Sequence, residues 1–273
     1  MSENMRIVSL VPSHTEILFG MGLGDLVVGV THHCDHPPEA AERERVGPFS
    51  KPDLEKIVAL RPDLVVAGGR IHDAYASELK GRGIAVYSFE PAKVSDLLDG
   101  MEELAELAGR HEGKGAVAAL RERLERISRL VEGCRPLRTA FVMGEATLAI
   151  PGPENCQYDA LRICGAEPMP SREGAAFELV SWEDVAEFNP EVLIVCGYRI
   201  GEPVRKRCFG CSVVSRPCAR EVGAVMAKPP LLRVDAVIKR QVYPVPCHFF
   251  CRPGPRLFDG MEWLAATVRE LQG

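Results

Sequence analysis

The sequence predicts an α/β protein of two lobes joined by a single long backbone helix, with a ligand cleft between the lobes. Three observations carry this. Short β-branched runs alternate with amphipathic helical stretches, a helix–proline–strand unit recurs at a fixed offset of 128 residues, and a strong helical stretch lies between the two copies.

Arg6-Ile7-Val8-Ser9-Leu10 reads as the first strand, followed by a loop and a short helix ending at Gly20 or Gly22. Asp53 is a candidate N-cap for a helix over Leu54–Leu60, and Pro62 stops that helix ahead of the strand Leu64–Ala67. That strand is a continuous apolar run, as expected of a parallel strand buried on both faces. A helix over Val94–Ala108 completes the first lobe, assigned to residues 1–112. The connecting segment, residues 113–135, has strong helix formers and heptad-like apolar spacing over Ala116–Val131.

The second lobe, residues 136–273, opens in the same way. A strand over Thr139–Met143 leads to a short helix ending at Gly165. Ser181 is then the candidate N-cap of a helix over Glu183–Phe188, Pro190 stops it, and Val192–Val195 is the buried strand. Residues 53–66 and 181–194 match through fourteen positions, so the lobes read as two Rossmann-like copies of one plan. A helix over Leu257–Leu271 closes the chain.

Composition narrows the function. Thirty-three Lys and Arg against 38 Asp and Glu give a net charge of −5 without a basic block, which argues against a nucleic-acid partner. No apolar run approaches the roughly 20 residues that span a bilayer, so membrane insertion is not expected. Met1–Met5 lead straight into the first strand with no basic segment, apolar stretch or cleavage site. This predicts a cytoplasmic chain, or a periplasmic or lipid-anchored one whose leader has been removed.

Three segments, Arg6-Ile-Val-Ser-Leu-Val-Pro-Ser-His-Thr-Glu-Ile-Leu, Leu54-Glu-Lys-Ile-Val-Ala-Leu-Arg-Pro-Asp-Leu-Val and Arg252-Pro-Gly-Pro-Arg-Leu-Phe-Asp-Gly, resemble the helical-backbone (class III) substrate-binding proteins of ABC importers. The resemblance is nearest to the cobalamin-binding branch, whose relatives carry siderophores, haem and other metal chelates. Thr31-His32-His33-Cys34-Asp35-His36-Pro37-Pro38 is similar to that branch's cleft-facing loop. The resemblance implies a non-catalytic protein that holds a corrinoid-like chelate. Its expected ligand-binding residues are Ser13, His14, His32, His33, Cys34, Asp35, Cys156 and Tyr198, with Cys34 on the cleft rim and Cys156 opening the matching loop of the second lobe. Ser13 also fits as a helix cap. The resemblance further implies an ABC permease as partner, docked through the repeat-equivalent acids Glu55 and Glu183. An acid at a helix start is equally explained by the helix dipole.

Ten cysteines depart from the family pattern. Cys208, Cys211 and Cys218 form C-x2-C-x6-C among Arg205, Lys206, Arg207 and Arg216, and Cys247 and Cys251 form C-x3-C. Paired thiolates beside cations suit an iron–sulfur cluster or zinc, so these five cysteines are the expected metal ligands. An alternative function follows: a metallocluster carrier or sensor whose resident ligand is the cluster. A third reading is a chelatase-like enzyme, but no Walker lysine motif, Ser-His-Asp signature or paired catalytic carboxylates are present, so the chain is read as a non-enzyme.

Overall fold

A computed structural model of the chain describes residues 5–111, 113–144, 147–196 and 222–273. By its internal contacts the chain divides into two units. The first holds Met1–Pro91 and Ser95–Glu122, and the second holds Ala92–Val94 and Arg123–Gly273.

Unit 1 contains the strands β1 (Ile7–Ser9), β2 (Val27–Val30), β3 (Glu44–Arg45), β4 (Leu64–Ala67) and β5 (Ala85–Ser88). Between them run α1 (Pro12–Gly20), α2 (Leu54–Ala59) and α3 (Gly69–Gly81), and α4 (Val94–Leu107) follows. All pairings in the sheet are parallel, in the order β3-β2-β1-β4-β5. β1 and β4 are fully buried, and Val8, Leu10, Val65 and Ala67 pack with Val46, Ile57 and Leu79 on one face. Burying each such Val, Leu or Ile contributes roughly 1.5–3 kcal/mol.

α5 spans Gly113–Leu130, close to the expected helix, and the division between the units falls within it, after Glu122. Arg121 pairs with Asp99 and Glu102 of α4 inside unit 1.

Unit 2 contains β6 (Leu137–Val142), β7 (Leu148–Pro151), β8 (Ala166–Pro168), β9 (Phe177–Val180), β10 (Val192–Cys196) and β11 (Val242–Val245). Its helices are α6 (Cys156–Ile163), α7 (Trp182–Phe188), α8 (Val222–Met226), α9 (Asp235–Ile238), α10 (Cys247–Phe250) and α11 (Leu257–Glu270). Four strands form a parallel sheet ordered β11-β10-β6-β8, and β7 and β9 pair antiparallel beside it. Arg123 of α5 is held here by Asp259 and Glu262 of α11.

The repeat is physical. Read from the other edge, β8-β6-β10-β11 has the connectivity of β2-β1-β4-β5. Asp53 caps α2 by accepting from the Lys56 amide, and Ser181 caps α7 in a reciprocal capping box with Asp184. Arg61 and Asn189, one offset apart, both take left-handed backbone (φ 47° and 48°) just before the prolines. Asp63 and Glu191, again one offset apart, each accept the amide of an arginine at the entry to the neighbouring strand, just before β1 in one case and as the second residue of β6 in the other. Arg6 donates to Asp63 at 2.7 Å and Arg138 donates to Glu191 at 3.1 Å.

One capping expectation needs correction. Ser13 does not cap α1, because Pro12 takes the first helical position and Val11 the N-cap, without a side-chain bond. As expected, the helix ends at these glycines: α1 stops at Gly20, and Gly22 carries the left-handed turn (φ 75°), matching Gly165 (φ 78°). α3 and the β7–β9 pair are additional elements. The Gly68-Gly69 start and charged face of α3 hide its period, and β9 is two-sided, with Phe177 and Leu179 exposed.

Candidate functional site

In parallel sheets the chain turns and helix starts at the carboxyl ends of the strands are where ligands are held. In unit 1 those ends deliver His14 after β1, His32-His33-Cys34 after β2, Gly68 and His72 after β4, and Phe89 after β5.

Two imidazoles clamp one loop residue. The Gly68 amide donates to Nδ1 of His72 at 2.9 Å, which leaves the His72 proton on Nε2, directed at the Phe49 carbonyl 2.7 Å away. The Phe49 amide donates to Nδ1 of His33 at 3.0 Å. The Phe49 ring stands edge-on to both imidazoles, with centroids 5.2 Å from His72 and 6.3 Å from His33. Burial lowers the His72 pKa, so the neutral tautomer is the resting one.

His14 is buried, and its Nδ1 has no hydrogen-bond partner among the described residues. Desolvation lowers its pKa to about 3, with the nearby His72 adding to the shift and a bond to the Phe89 backbone opposing it. Its ring lies 5.3 Å from that of Phe89, which stacks in turn on Tyr87 at 5.9 Å. Gly100 of α4 makes room for this stack, since a Cβ there would fall 2.0 Å from the Phe89 ring. The result is a neutral, aromatic, imidazole-rich group of side chains at one end of the sheet.

Cys34 is not on a rim. It is fully buried, with Thr15 Oγ1 at 3.1 Å and Thr31 Oγ1 at 3.3 Å from its sulfur, and Arg45 bonds the carbonyls of Thr31 and Cys34. Burial raises its pKa, so it is a protonated structural thiol. His32 and Asp35 are exposed on the same loop, while Ser13 is buried inside α1.

In unit 2, Cys156 is the first residue of α6 and is buried, so it does not open a loop. Asn155 ahead of it caps the helix by accepting from the Gln157 amide. Tyr198, Cys208, Cys211 and Cys218 lie outside the described residues. Cys247 and Cys251 do come together, but with Cys196 as their companion. The ligating atoms of these three all lie within 4.8 Å of one another, and the Cys196 and Cys251 sulfurs are 3.6 Å apart. Cys247 is disulfide-bonded, whereas Cys196 and Cys251 are outside any disulfide.

Glu55 and Glu183 both sit at the second position of their helices and are exposed, and Glu55 forms a surface ion pair with Arg82 at 2.7 Å. Sequence reasoning missed His72, Phe89 and Cys196. The signal for Cys196 was its place as the last residue of the strand opposite the one that precedes Cys247. His72 is the histidine nearest the start of a helix that was not expected.

Residues 7–246 match the periplasmic binding protein family. The chain belongs to that family. It is 25% identical over 270 residues to the vitamin B12-binding protein of Vibrio cholerae, covering 98% of this chain and 90% of that one. It is 29% identical over 199 residues to the vitamin B12-binding protein of Vibrio parahaemolyticus, covering 72% of each. Among solved structures, the fold is similar to the periplasmic vitamin B12-binding protein of Vibrio cholerae (TM-score 0.81, 24% identity, 98% and 97% covered). It is also similar to a periplasmic haem-binding protein from Roseiflexus sp. RS-1 (TM-score 0.78, 20% identity, 99% and 100% covered). Family membership makes the chain a substrate-binding protein and not an enzyme.

Proposed function

We propose that this protein captures a tetrapyrrole-type metal chelate, of the corrinoid or haem class, and delivers it to an ABC permease. The observation that carries the reading is the match to a vitamin B12-binding protein over 98% of the chain. The side chains of unit 1 support it. Neutral imidazoles and the rings of Phe49 and Phe89 suit a broad, largely apolar macrocycle, and exposed His32 offers an axial nitrogen to its metal. Glu55 and Glu183, equivalent in the repeat, are the proposed contacts to the permease. The iron–sulfur carrier and the cytoplasmic location have no support among the relatives. The Vibrio cholerae and Roseiflexus neighbours are described as periplasmic, and no helix among the described residues is long and apolar enough to cross a membrane.

Equilibrium binding of cyanocobalamin, aquocobalamin and haemin to the full chain tests this. One chelate bound per chain is expected, with His32→Ala weakening aquocobalamin more than cyanocobalamin, whose cobalt is already occupied by cyanide. Failure of all three to bind overturns the reading. Charge reversal of Glu55 and Glu183 together should abolish delivery to a reconstituted permease while leaving chelate binding intact.

A further inference from the structure

We infer that Cys196, Cys247 and Cys251 form a thiolate site for a single tetrahedral divalent cation of the zinc class in the reduced chain. The site is independent of the chelate-binding reading, and its ligand is a bare metal ion.

Among the described residues, two neighbouring strand ends and one helical turn build the site. β10 and β11 are parallel neighbours in register, with Cys196 opposite Val245 at their carboxyl ends. Pro246 then starts α10, so Cys247 stands two residues beyond the partner of Cys196. One turn of helix brings Cys251 back beside Cys247, and its amide bonds the Cys247 carbonyl at 2.8 Å. A strand end and a helical turn, both tied to one sheet, thus aim three sulfurs at one point. Cys196 is buried and the other two are half-buried, and Arg252, next in the chain, is buried as well. A cation nearby in sequence is the composition a charged thiolate group needs in a low-dielectric setting.

Spacing selects the metal. With Zn–S bonds of about 2.3 Å, tetrahedral geometry puts neighbouring sulfurs about 3.8 Å apart. The 3.6 Å between Cys196 and Cys251, and the 4.8 Å that bounds the whole group, fit that edge. In a cubane cluster each cysteine holds a different iron and the sulfurs spread outward, far beyond mutual contact. The group therefore fits one ion and not a four-iron cluster, and a thiolate-rich, carboxylate-free set favours zinc over calcium or magnesium. Cys247 must first be released from its disulfide, which a thiol or phosphine reductant does with two electrons and two protons per bond. Metal binding then displaces the proton of each thiol that still carries one.

Cobalt(II) titration of the reduced, chelator-stripped full chain under argon is the test. One cobalt per chain is expected. It should show intense tetrahedral d–d bands and thiolate-to-cobalt charge transfer, and stoichiometric zinc should bleach both. Cys196→Ser and Cys251→Ser should each weaken cobalt binding by more than the roughly 10–100-fold that loss of an outer-shell partner costs. Cys134→Ser, at a half-buried cysteine elsewhere in unit 2, should leave it unchanged. Far-ultraviolet circular dichroism identifies any variant that fails to fold. If Cys196→Ser does, Cys251→Ser decides. The proposal is overturned by the absence of tetrahedral bands in the reduced wild type, by an unaltered spectrum in a folded variant, or by stoichiometric iron with acid-labile sulfide in protein purified without oxygen. Cyanocobalamin binding, measured on the same samples, separates its failure from failure of the chelate reading.

Discussion

Asp63 in unit 1 is exposed and receives one backbone amide, that of Arg6, while the Arg6 guanidinium closes on the Leu60 carbonyl. Glu191 in unit 2 does the same for the Arg138 amide, with the Arg138 guanidinium on the Asn189 carbonyl. Glu191 is only 9% exposed and is also gripped by both terminal nitrogens of Arg135. One longer methylene arm and one more arginine turn a surface latch into a half-buried ion pair. The contrast teaches that the repeat conserves backbone demands, namely an amide to satisfy and a left-handed residue before proline, while each unit meets them with its own side chains. The same division holds at the carboxyl ends of the sheets, where unit 1 gathers imidazoles and aromatic rings and unit 2 gathers sulfurs.

The comparison breaks most sharply if the two latches are removed. Glu191→Ala should cost more than Asp63→Ala, because it leaves a part-buried amide without its acceptor where Asp63→Ala leaves an exposed one, which costs about 1 kcal/mol. Urea denaturation of the two variants reads the difference, and equal losses would erase the distinction drawn here. The Glu191 pKa is held below its ordinary 4.5, chiefly by the Arg135 bond. Its contribution is therefore complete above that value and fades as pH falls below it, so the gap between wild type and Glu191→Ala should close in acid.

The imidazoles of unit 1 carry a dependence of the same sign over a higher pH range. His14 titrates near 3 when folded and near 6.5 when unfolded, so the unfolded chain binds the extra proton between those values. Stability should fall as pH drops through that window, by at most about 1.4 kcal/mol per pH unit, and His14→Gln should flatten the slope. Thermal melts from pH 7 to pH 4 check this, and an unchanged slope in the variant would mean that His14 accepts its proton in place.

The smallest effect concerns the left-handed residues. Asparagine tolerates that backbone better than arginine does, so Arg61→Asn should gain about 0.5 kcal/mol. The converse, Asn189→Arg, should lose more than that, because the Asn189 side chain also accepts the Asp235 amide at 2.9 Å. Melting midpoints of the two variants should move in opposite directions.

Much of the architecture was legible because its determinants are local. Asp53 and Ser181 announce their helices, Pro62 and Pro190 end them, and the unbroken runs at Leu64 and Val192 can only be buried strands. The site was less legible because it is assembled by register. Nothing local says that Cys196 will stand beside Cys251, or that the hydroxyls of Thr15 and Thr31 will enclose Cys34 and bury it. His72 was hidden for a related reason. Its helix opens on two glycines, whose low propensity masks a start that is fixed by Glu90, which accepts the Arg70 amide at 3.2 Å.

The peptide of Phe49 is held at both ends, its N–H by one imidazole and its C=O by another. Most loop residues keep several backbone wells open and must surrender that freedom when a partner arrives. Phe49 has already given it up during folding, so a flat molecule that comes to rest against its ring meets a surface whose ordering cost was settled in advance.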